Sequence, residues 1–350
     1  MSISKEQVIK ALQEVIYFKG GDNIVNLKMV DELEVSGKKV SFSLIFPKKI
    51  DNSNEIVIDR ARKTLKQELG EDLDIRIGIK SPKDVGQGPL SGIKNIVAVA
   101  SGKGGVGKST VAVNLAIALS KSGAKVGLLD ADIYGPSIPT MLDLENQRPN
   151  ATEQDGKTRI LPIEKYNLKV LSIGFFVDPE QALVWRGPMA SKALEQLFND
   201  TEWGELDYLV LDLPPGTGDI HLTIAQEYPI TGAVIVTTPQ KVALADVLKA
   251  ATMFRQEKIY IPVLGLVENM SYFTPNELPD KKYYIFGKSH SENFAKRLNI
   301  PFLGQLPIVE GLAEASDAGK PAALLEDSIP GKAFKELAEN IKNGIKSLKS

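Results

Sequence analysis

Cysteine is absent from all 350 residues of the chain. With it go disulfides, thiolate zinc sites, cysteine-held iron–sulfur clusters and a cysteine nucleophile. Histidine is scarce: His221 and His290 are the only two, too few for a histidine-rich metal centre. No window approaches the roughly 18 apolar residues that span a bilayer. The first ten residues carry Lys5, Glu6 and Lys10 and lack the apolar run of a secretory signal, so a cytoplasmic protein is expected. There is no excess of either charge, since 42 Lys plus Arg against 44 Asp plus Glu leave −2. Such a balance gives no global field for nucleic acid or anionic lipid, and neither is an expected partner. The chemistry left to this chain uses carboxylates, lysines, main-chain amides and a hard cation.

What is present is ordinary globular composition, 43% hydrophobic and 25% charged, on a length that suggests two domains. Residues 1–80 read as a small α+β domain. Val8, Leu12, Val15 and Ile16 recur at helical spacing after Ser4, a candidate N-cap. Strands are predicted at Ile24–Val30, Val40–Phe46 and Leu73–Ile79, with a helix at Asn54–Leu69 closed by Gly70. Residues 81–94 read as a linker, because Gly86, Gly88, Gly92, Pro82 and Pro89 crowd its first twelve positions. From 95 to 350, apolar strands alternate with helices: Asn95–Ala100, Val126–Asp130, Leu168–Ile173, Tyr208–Leu213, Ala233–Thr237, Val263–Val267 and Phe302–Gln305. That pattern predicts an α/β fold, a mostly parallel sheet with helices on both faces. Residues 142–160 read as a polar surface excursion.

Directly after the first of these strands stands Ser101-Gly102-Lys103-Gly104-Gly105-Val106-Gly107-Lys108-Ser109-Thr110, opening into an apolar helix. Gly102, Gly107, Lys108 and Ser109 satisfy G-x-x-x-x-G-K-S. Glycines let main-chain N–H groups cradle phosphate, Lys108 neutralises the β and γ phosphates, and the Ser109 hydroxyl ligates magnesium. The run Gly102–Thr110 is therefore the expected ATP-binding set, with ATP and Mg²⁺ as ligands. Gly102, Gly104 and Gly107 also satisfy the dinucleotide fingerprint G-x-G-x-x-G, with Asp130 where a ribose-binding acid would stand. A pyrophosphate has no use for Lys108-Ser109, however, and the strand Tyr208–Leu213 ends in Asp212 before Leu213-Pro-Pro-Gly-Thr-Gly218, the layout of a Walker B acid and its switch.

Asp130 and Asp132 lie two apart at a strand end, so on an extended chain both carboxylates face the phosphates; a turn cap is the plain alternative for Asp132. Asp212 is placed to hold magnesium through water. Asp219 either caps the helix Ile220–Glu227 or belongs to the switch, and Asn269 can donate to and accept from an adenine edge or serve only in a turn. His221 reads as a helix-surface residue and His290 as solvated.

Lys103, inside the phosphate loop, gives this chain a resemblance to the deviant Walker A ATPases, the class of MinD, ParA and the nitrogenase iron protein. In that class the extra lysine reaches across a nucleotide-sandwich homodimer to the partner's phosphates, adding positive charge as an arginine finger does. Five motifs narrow the likeness: Ser101–Thr110, Asp130-Ala-Asp-Ile-Tyr-Gly-Pro-Ser-Ile-Pro139, Trp185-Arg-Gly-Pro-Met189, Asp212-Leu-Pro-Pro-Gly-Thr-Gly-Asp219 and Glu268-Asn-Met-Ser271. Together they resemble the Mrp/ApbC family of ATP-dependent iron–sulfur cluster carriers, and the first 80 residues resemble the small MIP18-like domain often fused ahead of that ATPase. The resemblance implies catalytic roles for Lys103, Lys108 and Asp132, the last orienting the attacking water. It implies magnesium-bound water at Asp130, and a base pocket formed by Asn269 with the backbone near Pro307. Iron–sulfur scaffold or apo-client proteins are the implied partners.

The chain departs from that family at one point. Many members carry Cys-x-x-Cys shortly after the Asn-Met, whereas here the segment reads Met270-Ser-Tyr-Phe-Thr-Pro-Asn-Glu-Leu-Pro279. This chain supplies no iron–sulfur ligand of that kind, and a cluster as cofactor is left open. A second reading is a MinD/ParA-like positioning ATPase. Its surface would be the C-terminal helix, where Phe334, Leu337, Ala338, Ile341, Ile345 and Leu348 form an apolar stripe among lysines, although with one aromatic and two interleaved glutamates the stripe reads more naturally as a terminal helix docked on the domain.

Overall fold

A computed structural model describes residues 3–17, 21–46, 52–80, 90–154, 157–176, 187–256 and 259–349. The chain divides into two compact units, Met1–Ser91 and Gly92–Ser350. Most of the expected linker, 81–89, lies outside the described residues, as do Trp185 and Arg186 of the motif Trp185–Met189.

The first unit starts with a capping box. The Ser4 hydroxyl accepts from the Gln7 N–H and the Gln7 carboxamide accepts from the Ser4 N–H, fixing the start of the helix Lys5–Leu12. Val8 and Leu12 are buried on it, but Val15 and Ile16 fall beyond its end. The strand predicted at Ile24–Val30 does not form. Asn23 Oδ1 accepts from the N–H groups of Val25 and Asn26, at 3.1 and 2.8 Å, and this Asx turn curls residues 24–28. The strand comes later, at Val30–Ser36, antiparallel to Lys39–Ile45, which runs parallel to Asp74–Lys80. Val40, Phe42 and Leu44 point from the central strand into a core with Val57, Ala61 and Leu65 of the helix Asn52–Leu69.

The second unit is built on an eight-stranded sheet. Its spatial order is Ile163–Lys165, Leu168–Ser172, Val126–Asp130, Tyr208–Asp212, Ile96–Ser101, Gly232–Thr237, Val263–Glu268 and Phe302–Gln305. Every pairing is parallel except that of the edge strand Ile163–Lys165. Every residue of Ile96–Ser101 and Gly232–Thr237 is buried, which requires cover on both faces of the sheet. Parallel strands bring their carboxyl ends to one edge, and the loops carrying the motifs at 101–110, 130–139, 212–219 and 268–271 emerge there.

One expectation is corrected and one pair of alternatives is decided. The excursion at 142–160 contains an antiparallel hairpin, Asn150–Gln154 with Lys157–Leu161, and it starts from Leu142 and Leu144, which are buried. The C-terminal helix Ile329–Lys349 packs on the helix Lys108–Lys121 and on the strands Val263–Glu268 and Phe302–Gln305. Phe334, Leu337, Ala338, Ile341 and Ile345 are buried in that contact, so the stripe is core and the positioning-ATPase reading loses its surface. Among the described residues no helix is long and apolar enough to cross a membrane.

Candidate nucleotide site

The phosphate loop joins the strand Ile96–Ser101 to the helix Lys108–Lys121. Two of its glycines are required by space. A Cβ on Gly102 would sit 2.4 Å from the main-chain carbonyl of Asp246; one on Gly107, whose φ is +77°, would sit 2.3 Å from Asn269 Nδ2. Around Gly104 and Gly105 the space is open. No side chain caps the helix, so its first-turn N–H groups face the loop as an anion site. Lys103 makes no ion pair among the described residues, and its carbonyl accepts from the Ser101 hydroxyl at 2.8 Å.

Lys108 is buried against acids. Its Nζ donates to Asp212 Oδ1 at 2.6 Å and to the Ser109 hydroxyl at 3.2 Å, and lies 3.5 Å from Asp132 Oδ2. The second oxygens, Asp212 Oδ2 and Asp132 Oδ1, are buried with no hydrogen-bond partner. Asp130 behaves differently from Asp132. The strand stops at Asp130 and the chain turns, so the pair is not presented side by side as an extended segment would. Asp130 accepts from the Asp132 N–H at 3.1 Å, the Ser172 hydroxyl at 2.9 Å and the Ile138 N–H at 3.3 Å. Burial first, then the charge of Asp212, pushes the Asp130 carboxyl up to about 7. Burial also raises Asp212, against the opposing pull of Lys108.

After Asp212 the chain is tied back to the sheet: Leu213 N–H donates to Val99 O at 3.1 Å and Gly216 N–H to Ser101 O at 2.9 Å. Gly218, rather than Asp219, stands at the cap of the next helix, Asp219–Glu227, and Asp219 is its first residue. The largest departure is His221, which is buried at 2% exposure and not on the surface. Its Nε2–H donates to Pro214 O at 2.8 Å, which fixes the tautomer because a carbonyl only accepts. A nine-residue helix is too short for its apolar period to say which way residue 221 faces.

On the other side of the loop, Asn269 Nδ2 donates to Val106 O at 2.9 Å, and Pro307 is buried where Leu306 N–H bonds Glu268 O and Ser271 N–H bonds Leu306 O. Nothing in the sequence around Glu268 marks its side chain as an anchor. It is fully buried and receives hydrogen bonds from Ser271, Ser289, Ser291 and Gln305, which ties both ends of the segment 271–291 to one carboxylate. The segment itself carries Tyr283, Tyr284, Ile285 and Phe286, all exposed, while Tyr272 is buried with the Lys282 ammonium 4.2 Å over its ring. His290 is exposed at the cap of the helix Ser291–Leu298. Among the described residues no group of three or more His, Asp and Glu is placed to hold a metal by itself.

A glycine loop between strand and helix, with a buried lysine set against acids at the carboxyl edge of a parallel sheet, defines a P-loop nucleoside triphosphatase. Residues 92–342 match the NUBPL iron-transfer P-loop NTPase family and residues 5–75 the iron–sulfur cluster assembly protein family. The chain belongs to the iron-transfer P-loop NTPases. It is 42% identical over 329 residues, 91% of either chain, to an iron–sulfur cluster carrier protein of Synechocystis sp.. A nucleotide-binding protein of Archaeoglobus fulgidus, solved with ADP, is 40% identical and superposes with a TM-score of 0.57 over 66% of this chain and 89% of that one. MinD of Pyrococcus horikoshii with Mg-ADP, 23% identical, covers 73% of this chain and 98% of its own with a TM-score of 0.55, a likeness of fold alone.

Proposed function

We propose that this chain is a magnesium-dependent ATPase working as a homodimeric switch in iron–sulfur cluster assembly or transfer, with the cluster's thiolates supplied by a partner protein. The observation that carries this reading is Lys108, buried between Asp132 and Asp212 at the head of the phosphate loop, in a chain of this family. The main-chain N–H groups of Gly102–Thr110 bind the phosphates, Lys108 neutralises the β and γ positions, and Lys103 reaches the partner subunit's nucleotide. Asp132 orients the attacking water; Asn269 and the backbone at Pro307 enclose the base.

The donor set fits magnesium. Asp212 Oδ2 is a buried acceptor with no protein donor, suited to a metal-bound water, and the Ser109 hydroxyl stands beside it at the helix start. Asp130 would hold a further water of the ion. One hydroxyl ligand, with two carboxylates acting through water, suits a cation that completes its octahedron with water and phosphate. When bound, magnesium supplies charge neutralisation across the β and γ oxygens.

The cluster is cargo, and here the residues do not fit it: the chain has no cysteine, and among the described residues neither histidine belongs to a metal-ligating group. Anaerobic reconstitution with iron and sulfide separates the two halves of the proposal. Cluster absorbance is expected only when a thiolate-bearing scaffold or client is present, with transfer accelerated by ATP. A cluster formed stably on this chain alone, or transfer indifferent to ATP, refutes the reading.

A further inference from the structure

His221 is the buried polar side chain closest to the reaction machinery that the ATPase reading leaves without a task. Its ring reaches from the first turn of the helix Asp219–Glu227 back to the carbonyl of Pro214, the second residue after Asp212. The loop between them is otherwise held only by the main chain: Leu213 to Val99 and Gly216, at φ +92°, to the phosphate-loop strand at Ser101. Pro214 and Pro215 have no N–H to give, so the side-chain bond from His221 is what fixes the start of the turn. The ring lies near enough to Lys108 and Asp132 for their charges to act on it, while burial disfavours the imidazolium. Its Nδ1 is buried with no hydrogen-bond partner.

We propose that His221 is a positioning residue for hydrolysis. As a neutral imidazole donating through Nε2–H, it locks the Pro214 carbonyl and so sets the path of Pro215–Gly218, the loop that leads from Asp212 past the phosphate site. It transfers no proton. The proposal rests on the ATPase reading, and the two fail differently: an unmodified chain that does not hydrolyse ATP sinks the ATPase, not the histidine.

The experiment uses the full chain with ATP and magnesium, measuring nucleotide affinity and turnover separately for His221→Leu, His221→Gln and His221→Asn. Leucine fills the space without a donor. Glutamine places an N–H near the same reach, and asparagine falls short. The expected result is ATP affinity within about twofold throughout and kcat lowered by about 10- to 100-fold in the leucine and asparagine variants. Glutamine should restore most of the rate, with an unchanged pH profile. If glutamine is as slow as leucine while both are folded, the donated bond to Pro214 is not what hydrolysis needs and positioning is overturned. If leucine turns over ATP normally, the bond to Pro214 has no part in hydrolysis and the proposal is equally overturned. Should the leucine variant not fold, the contrast between glutamine and asparagine decides by the same criteria.

Discussion

Two neighbouring regions at the carboxyl edge of the same sheet are built to opposite standards. The phosphate loop and its acids are dense: Lys108, Asp212, Asp132 and Asp130 are all buried, and Gly102 and Gly107 are fixed by contacts that a Cβ would violate. The segment 271–291, a few residues past Asn269, is anchored at its two ends and exposes Tyr283, Tyr284, Ile285 and Phe286 between them. The first region does chemistry that tolerates little misplacement, since phosphoryl transfer depends on positioning and charge. The second presents surface. A chain can therefore keep a complete ATPase while carrying no thiolate where many relatives are expected to have a pair.

Substitutions can break or sharpen this contrast. Lys108→Ala should have the largest effect, lowering ATP turnover by at least about 10³-fold and abolishing measurable nucleotide binding, read by equilibrium binding and phosphate release. Lys103→Ala comes next: binding kept, hydrolysis down by about tenfold or more; normal hydrolysis would remove the sandwich-dimer mechanism. Glu268→Ala leaves buried donors without their acceptor and should cost about 3 kcal/mol in urea unfolding. Asp130→Asn is a test by pH. Because the folded carboxyl is raised from 3.8 to about 7, the folded protein holds a proton that the unfolded chain releases, so stability falls as pH climbs through that window. Melting curves in EDTA should show that decline in the unmodified chain and a flatter profile in the variant. Smallest is Ile285→Ser on the exposed segment, within about 0.5 kcal/mol in stability and without effect on turnover. A large loss there would mean the two regions are not separable.

The phosphate loop was legible because its requirements are local: glycines for close approach, one lysine, one hydroxyl, all within a strand–loop–helix. Most strands of the parallel sheet were legible for the same reason, as short apolar runs buried on both faces. The side chains that matter through distant partners were not. Ser172 meets Asp130 across 42 positions, and the donors to Glu268 lie up to 37 away. His221 was misplaced because only its bond to Pro214, seven residues back, reveals the inward side. In the first unit the alternation of Val25, Leu27 and Met29 imitates a strand, while Asn23 turns the chain. The true strand Val30–Ser36, rich in acids at a sheet edge, has its alternation broken at Asp31–Glu32, where the pairing register shifts.

The Glu268 carboxylate gathers Ser271 from one end of the excursion and Ser289 and Ser291 from the other, and Gln305 from the adjoining strand. A loop whose two ends are pinned on a single buried anchor behaves as a cassette: lengthening or rewriting its middle adds only slowly to the entropy of closing it. The middle of this stretch can thus be rewritten without retuning the nucleotide machinery next door.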